Sequence, residues 1–333
     1  MSGSNSKQWM LSAALAAILI SCSFSAFAGD DKRPTHKKTN INLAVASNFY
    51  GIPPNNSAIT DLINEFQAEN PRYTVTVTDN GATATLEANI INGNINNVDL
   101  FLAADTETPQ DLLVNHFGLV TPYNNSLTPP LYTFNYAQGV LAFLSNTPNI
   151  DVSCDAGGTC GYDQTVYSIV GIANPSLAPY GVASQSVLTG RYGLTPPLCM
   201  DNTTTPPTPG NPLVKQPCYS NITAALTAVL NKDVPVGFVA MSAICSNGSY
   251  PTPGNGTSAL AYFAIESTNT TSPMLVNNYN PLTQGGIAIN HTRTSAQNTE
   301  PEAFVAFLTD FTQPPMPDSA MMTTLKKYCY SAP

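Results

Sequence analysis

From residue 40 onward, short apolar runs of strand length alternate with stretches whose apolar residues recur at helical spacing. A strand side chain repeats every two residues and a helix stripe every three to four, so this alternation admits few architectures. Residues 41–46 form a β-like run, and Ile59, Leu62, Ile63 and Phe66 then mark an amphipathic helix. Residues 73–77 alternate as a strand, 83–91 read as a second helix, and 98–102 as a buried strand. This is the βαβα rhythm of a parallel sheet covered by helices. A second unit begins at 140–144, with a strand at 169–173, a helix at 180–188, another at Ile222, Ala225, Leu226 and Val229, and a strand at 236–239. Two further stripes, Phe304, Phe307, Leu308, Phe311 and then Met321, Met322, Leu325, Tyr328, read as core-packing helices. Residues 121–130 and 200–217 carry too much Pro and Gly for regular structure and read as surface loops.

The first 28 residues read as an export signal. Lys7 supplies the positive flank, residues 11–20 are apolar but short for a bilayer, and Ala26-Phe27-Ala28 gives a small-x-small cleavage pattern. Leu19-Ile20-Ser21-Cys22 offers the alternative of a lipobox with an acylated Cys22. Residues 29–39, with Lys32, Arg33, Lys37 and Lys38, read as a disordered leader. The remaining length suits two domains or one bilobed unit. The net charge is −9, and it becomes −10 without Lys7. Without a basic patch the chain is not expected to bind nucleic acid.

Beyond Cys22 there are six cysteines, at 154, 160, 199, 218, 245 and 329, and an even number in an exported chain points to disulfides. Pairing neighbours gives Cys154–Cys160, Cys199–Cys218 and Cys245–Cys329, although six cysteines leave 15 connectivities open. No two cysteines have zinc-ligand spacing, and His36, His116 and His291 stand apart from them, so no metal site is expected.

The common catalytic motifs are missing, and the chain is not expected to be an enzyme. Asp99 and Asp105 flank a strand and read as cap or turn residues. What recurs is a strand-to-helix junction rich in small hydroxyl residues: Ala46-Ser47-Asn48, Gly81-Ala82-Thr83-Ala84-Thr85, Asn174-Pro175-Ser176 running on to Tyr180-Gly181, and Asn221-Ile222-Thr223. Each places backbone N–H groups at the positive end of a helix. One such junction is an ordinary cap. Four converging on one cleft would hold a tetrahedral dianion without an arginine.

Several of these stretches resemble the periplasmic molybdate-binding proteins, the substrate-binding components of molybdate or tungstate ABC transporters. They are Ala46-Ser47-Asn48-Phe49, residues 98–105, Tyr136-Ala137-Gln138-Gly139-Val140-Leu141, Ile172-Ala173-Asn174-Pro175 with Ala178-Pro179-Tyr180-Gly181, residues 236–242, and Lys327-Tyr328-Cys329-Tyr330. Their order is kept from about residue 40 to 330. The resemblance implies an α/β type II periplasmic-binding fold, two α/β lobes joined by a two-segment hinge. Lobe I is expected at 40–135 and 277–333, and lobe II at 136–276 with an irregular insertion at 200–217. The resemblance also implies Ser47 and Thr83 as hydroxyl ligands, Asn48 beside the first, and Tyr180 and Ile222 as backbone N–H donors. Ala240 stands where some members offer a tyrosine hydroxyl. The implied ligand is molybdate or tungstate with no separate cofactor, the partner an inner-membrane ABC permease, and the chain a monomer. None of the matched positions is acidic, which favours fully deprotonated oxyanions over phosphate and leaves sulfate open. Two other readings remain: a secreted binding or adhesion protein that keeps the fold without the anion site, and a hydrolase using Ser47 or Thr83 as nucleophile.

Overall fold

A computed structural model describes residues 38–52, 57–94, 96–152, 169–199, 213–214, 218–249, 251, 256–262, 279–290 and 300–333. The expected signal, Cys22, leader residues 29–37 and the Cys154–Cys160 bond lie outside them, as do His36 and His291. No helix among the described residues is long and apolar enough to cross a membrane.

The described residues form two five-stranded sheets. In the first, β1 (Thr39–Ala46) lies between β2 (Tyr73–Gly81) and β3 (Leu100–Leu102), parallel to both. The last strand, β10 (Leu282–Ala288), returns antiparallel to β3 and to β4 (Thr133–Gly139). Strand alternation sends Ile41, Leu43 and Val45 of β1 to one face and Ala44 to the other. The first face is covered by α2 (Ala58–Glu69), α7 (Glu300–Leu308) and α8 (Ala320–Lys327), the second by α3 (Thr83–Ile91) and α4 (Glu107–Asn115). Phe66 of α2 packs edge-on against Phe304, with centroids 4.9 Å apart, so both terminal stripes are core as expected.

The second sheet runs β7 (Leu213–Val214), β6 (Ile169–Gly171), β8 (Val236–Ala240), β5 (Leu141–Ser145), β9 (Ser258–Tyr262). β6 is parallel to β7 and β8, while β5 is antiparallel to β8 and β9. Phe238 faces α5 (Pro179–Tyr192) and its neighbour Val239 faces α6 (Ile222–Leu230), so this sheet too is buried on both sides. The expected α/β fold with two lobes is the observed one.

The chain crosses between sheets at Val140, since β4 pairs with β10 through Gly139 and β5 pairs with β8 from Leu141. Leu213–Val214, inside the stretch read as irregular, adds a short edge strand to β6, and Val214 is buried there. The polar helix α4 was not anticipated, since only Pro109 and Leu112 bury an apolar face. Cys199–Cys218 and Cys245–Cys329 are bonded as neighbour pairing expects.

Candidate functional site

Each lobe directs helix N-termini at the other. The short helix α1 (Ser47–Tyr50) leaves β1 and α3 follows β2, while α5 follows β6 and α6 precedes β8. Ala46, Ala82 and Ala104 of the first lobe share one buried cluster with Ala178, Tyr180 and Ile222 of the second. The four junctions read from sequence are therefore brought together. Hydrogen bonds join them directly: Ala84 N–H to the Leu177 carbonyl at 3.1 Å, and the Thr223 hydroxyl to the Ser47 carbonyl at 3.0 Å. The Ser242 hydroxyl also reaches the Asn48 carbonyl at 3.2 Å.

The caps of these helices are unusual. Ala46, Ala82 and Ala178 occupy the N-cap positions of α1, α3 and α5, and none makes a side-chain cap hydrogen bond. α6 is capped by Asn221, which accepts from Ala224 N–H at 2.8 Å, three residues into the turn. The first turns of α3, α5 and α6 contain no acidic residue. Pro179 starts α5 at a position that lacks an intrahelical partner anyway. Gly181 lets that turn sit against the exit of β6: a Cβ there would lie 2.5 Å from the Ala173 carbonyl oxygen. Thr83 Oγ accepts from Ala104 N–H at 3.1 Å, and a hydroxyl so engaged keeps its own proton to donate.

The chain matches the family model of bacterial extracellular solute-binding proteins over residues 42–312. The chain belongs to that family. No curated protein matches it in sequence. In structure it is similar to the periplasmic molybdate-binding protein of Azotobacter vinelandii, at 20% identity and a TM-score of 0.60, covering 88% of this chain and 99% of that one. It is similar also to the periplasmic binding protein AfuA of Actinobacillus pleuropneumoniae with fructose-6-phosphate bound, at 12% identity and a TM-score of 0.53, covering 88% and 85%. A periplasmic thiamin-binding protein matches at 11% identity and a TM-score of 0.52, covering 89% and 84%. At these identities the likeness is one of fold.

Within this solute-binding protein Ser47, Asn48, Thr83, Tyr180 and Ile222 are all buried. The Asn48 side chain does not point at the junctions alone: its Nδ2 donates to the Tyr330 hydroxyl at 3.1 Å. The Tyr180 side chain runs back toward the crossing, where Gln284 Nε2 donates to its hydroxyl at 3.5 Å. A Cβ on Gly139 would collide with that hydroxyl. Tyr136 donates its hydroxyl proton to the Ala103 carbonyl at 2.8 Å, or to Gln284 Oε1 at 2.9 Å. Burial pushes Tyr136 and Tyr180 well above the usual tyrosine range and Tyr330 up to about 12, so all three remain neutral hydroxyls. Tyr136, Ser242, Gln284 and Tyr330 were not singled out as site residues from sequence. Their signal was slight, polar groups placed within or beside apolar runs.

A cleft of about 760 Å³ adjoins the junctions, lined by Thr83, Ala178, Asp105, Glu107, Tyr279 and others, but not by Ser47 or Ile222. Its wall includes Thr83 and Ala84 at the start of α3 and Ala178 and Pro179 at the start of α5, so it opens on two of the four converging helix ends. Asp105 turns Oδ1 to Thr108 N–H at 2.8 Å, the cap role expected of it, whereas the buried Asp99 accepts Asn42 N–H of β1 at 2.7 Å, a long-range bond rather than a cap or turn. Burial outweighs the Thr108 bonds and raises the Asp105 carboxyl above its ordinary value. No metal-ligand cluster occurs among the described residues.

Proposed function

We propose that this solute-binding protein captures a tetrahedral oxyanion, molybdate or tungstate, between its lobes and delivers it to an inner-membrane ABC permease from the periplasm. Ser47 and Thr83 donate their hydroxyl protons, and Tyr180 and Ile222 their backbone N–H groups. Asn48 holds the first loop in place beside Ser47. The carrying observation is the pair of alanine N-caps, Ala82 and Ala178, facing each other from opposite lobes in one buried cluster. A helix start has up to four N–H groups without intrahelical partners, and an alanine cap takes up none of them with its side chain. At α3 Ala84 N–H is met by the Leu177 carbonyl. At α5 Ala178 N–H goes to the Asn174 carbonyl, Pro179 has none and Gly181 N–H goes to the Ala178 carbonyl, which leaves that of Tyr180. An anion there gains from both helix dipoles with no arginine. The donors are neutral and include no carboxylate acceptor, which suits an anion without a proton rather than hydrogen phosphate.

A thermal-shift titration with molybdate, tungstate, sulfate and phosphate tests the reading. Binding to the folded state alone adds about 2.7 kcal/mol of stability at a hundredfold excess over Kd. Molybdate and tungstate should raise Tm at micromolar concentrations and phosphate should not. Folded protein that shifts with none of the four overturns the assignment.

A further inference from the structure

The two lobes are joined by more than the crossings at Val140 and before β10. Residues 328–331 follow α8 and belong to the first lobe: Tyr328 and Tyr330 are buried in its core. Lys327 Nζ pairs with Asp61 of α2 at 2.5 Å, and the Tyr328 hydroxyl reaches the same carboxylate at 2.9 Å. Ser331 exchanges backbone hydrogen bonds with Gln138 of β4, at 3.1 and 2.9 Å. Yet Cys329, in the middle of this segment, is bonded to Cys245 of the second lobe. Cys245 follows the 3₁₀ turn Met241–Ala243 at the end of β8, and Gly248 N–H of the same loop donates to the Lys327 carbonyl at 3.0 Å. Met241 N–H donates to the Val140 carbonyl at 2.9 Å, so the link lies alongside the crossing.

The next residue, Tyr330, meets the loop that carries Ser47. Its hydroxyl donates to the Asn48 carbonyl at 3.0 Å and accepts from Asn48 Nδ2 at 3.1 Å. The neighbouring Phe49 packs edge-on against the Tyr330 ring, 5.3 Å between centroids. The same Asn48 carbonyl receives the Ser242 hydroxyl, three residues before Cys245. One backbone carbonyl in the first loop is thus gripped from both lobes by residues adjacent to the two ends of one disulfide.

We infer that the C-terminal segment is a covalent strap across the hinge, and that Tyr330 is a positioning residue which acts through Asn48 on the ligand-binding loop. The inference rests on the binding site proposed above. The disulfide keeps Tyr330 and Ser242 on Asn48 as the lobes move, so Ser47 meets its ligand from a loop already in place. Preorganisation of this kind strengthens binding without adding a contact to the ligand.

Tyr330→Phe retains the ring and removes only the hydroxyl. Calorimetry with molybdate should show roughly five- to tenfold weaker binding, the scale of one lost hydrogen bond, alongside whatever fall in Tm the loss of the partner to Asn48 Nδ2 brings. A merely structural residue would lower Tm and leave affinity alone. Lys326→Ala, which breaks an exposed ion pair with Asp318, is the control and should match wild type in affinity. In the anion-free chain, Cys245→Ser with Cys329→Ser should speed hydrogen exchange at the Asn48, Phe49 and Ser331 amides. Should that variant not fold, Tyr330→Phe, which keeps the disulfide, carries the exchange readout at Asn48 and Phe49 as well. Affinity within twofold of wild type in Tyr330→Phe, or unchanged exchange, overturns the strap. If the wild-type chain binds no oxyanion, the proposed ligand is wrong and the exchange measurement alone decides the strap.

Discussion

Serines occupy the N-cap positions of helices α2 and α8, whereas alanines occupy those of α3 and α5. Ser57 accepts from Thr60 N–H at 3.2 Å and Ser319 from Met322 N–H at 3.1 Å, so each outer helix satisfies part of its own first turn. α2 adds Asp61 in that turn, a charge that suits the helix dipole. Ala82 and Ala178 do neither for α3 and α5. A side-chain cap contributes about 1 kcal/mol, so its omission at two termini costs stability unless another partner meets the N–H groups. At α3 part of the answer is on the opposite lobe, where the Leu177 carbonyl accepts from Ala84. α6 stands between the two kinds: Asn221 caps it, but at Ala224, away from Ile222. A terminus that must meet a ligand cannot be occupied by its own cap.

The largest effect should come from making an inner helix resemble an outer one. Ala178→Asp gives α5 a carboxylate cap, and Ala178 lines the 760 Å³ cleft, so the added atoms have room. The carboxylate competes for the α5 N–H groups and repels a dianion at the same point. We expect anion affinity to fall by more than about a hundredfold, while the cap itself contributes about 1 kcal/mol to the anion-free fold. Calorimetry and chemical denaturation measure the two separately. Retained affinity would break the contrast between inner and outer helices.

A smaller effect separates hydroxyls that cap from hydroxyls that bind. Thr83→Ala removes a donor to a charged ligand, worth about 1.5–3 kcal/mol, or roughly ten- to a hundredfold in Kd. Ser57→Ala removes a cap and should cost about 1 kcal/mol of stability with no change in Kd. The pair is read by the same titration and the same melt. If both variants move only stability, Thr83 is an ordinary cap residue and the first lobe contributes less than proposed.

This contrast also marks where the sequence could be read. The elements β1, α2, α3, α6 and β8 were legible because their apolar spacing is local and each buries a full stripe or run. β4 was not, because Asn135 and Gln138 interrupt its pattern and its pairing partner β10 lies over 140 residues away. At the site, the four junctions could be seen as strand ends that open helices. The alanine caps gain meaning only when Ala82 and Ala178 are found in one cluster. Tyr330 was beyond reach as a site residue, since it meets Asn48 across 282 residues. Nothing local to the terminal Tyr-Cys-Tyr states that one tyrosine serves the first loop.

The smallest effect concerns carboxylates further along these helices. In α2, Asp61 is answered by Lys327, but in α3 Glu87 faces acids instead. Burial first, and then Asp111 and Asp105, push its carboxyl from about 4.5 up to about 7. Folding therefore raises its pKa. Below pH 4.5 the group is protonated folded or unfolded and costs nothing; between 4.5 and 7 only the folded chain holds the proton. Stability is thus lost as pH rises through that window, and the loss persists above pH 7. Because Glu87 is only partly buried and solvent screens the rest, the change should stay within about 1 kcal/mol. Glu87→Gln should flatten the pH profile of Tm and leave the variant more stable than wild type at pH 8, with little difference at pH 4. A Tm profile for Glu87→Gln parallel to wild type from pH 4 to 8 would show that α3 tolerates its carboxylate as α2 does.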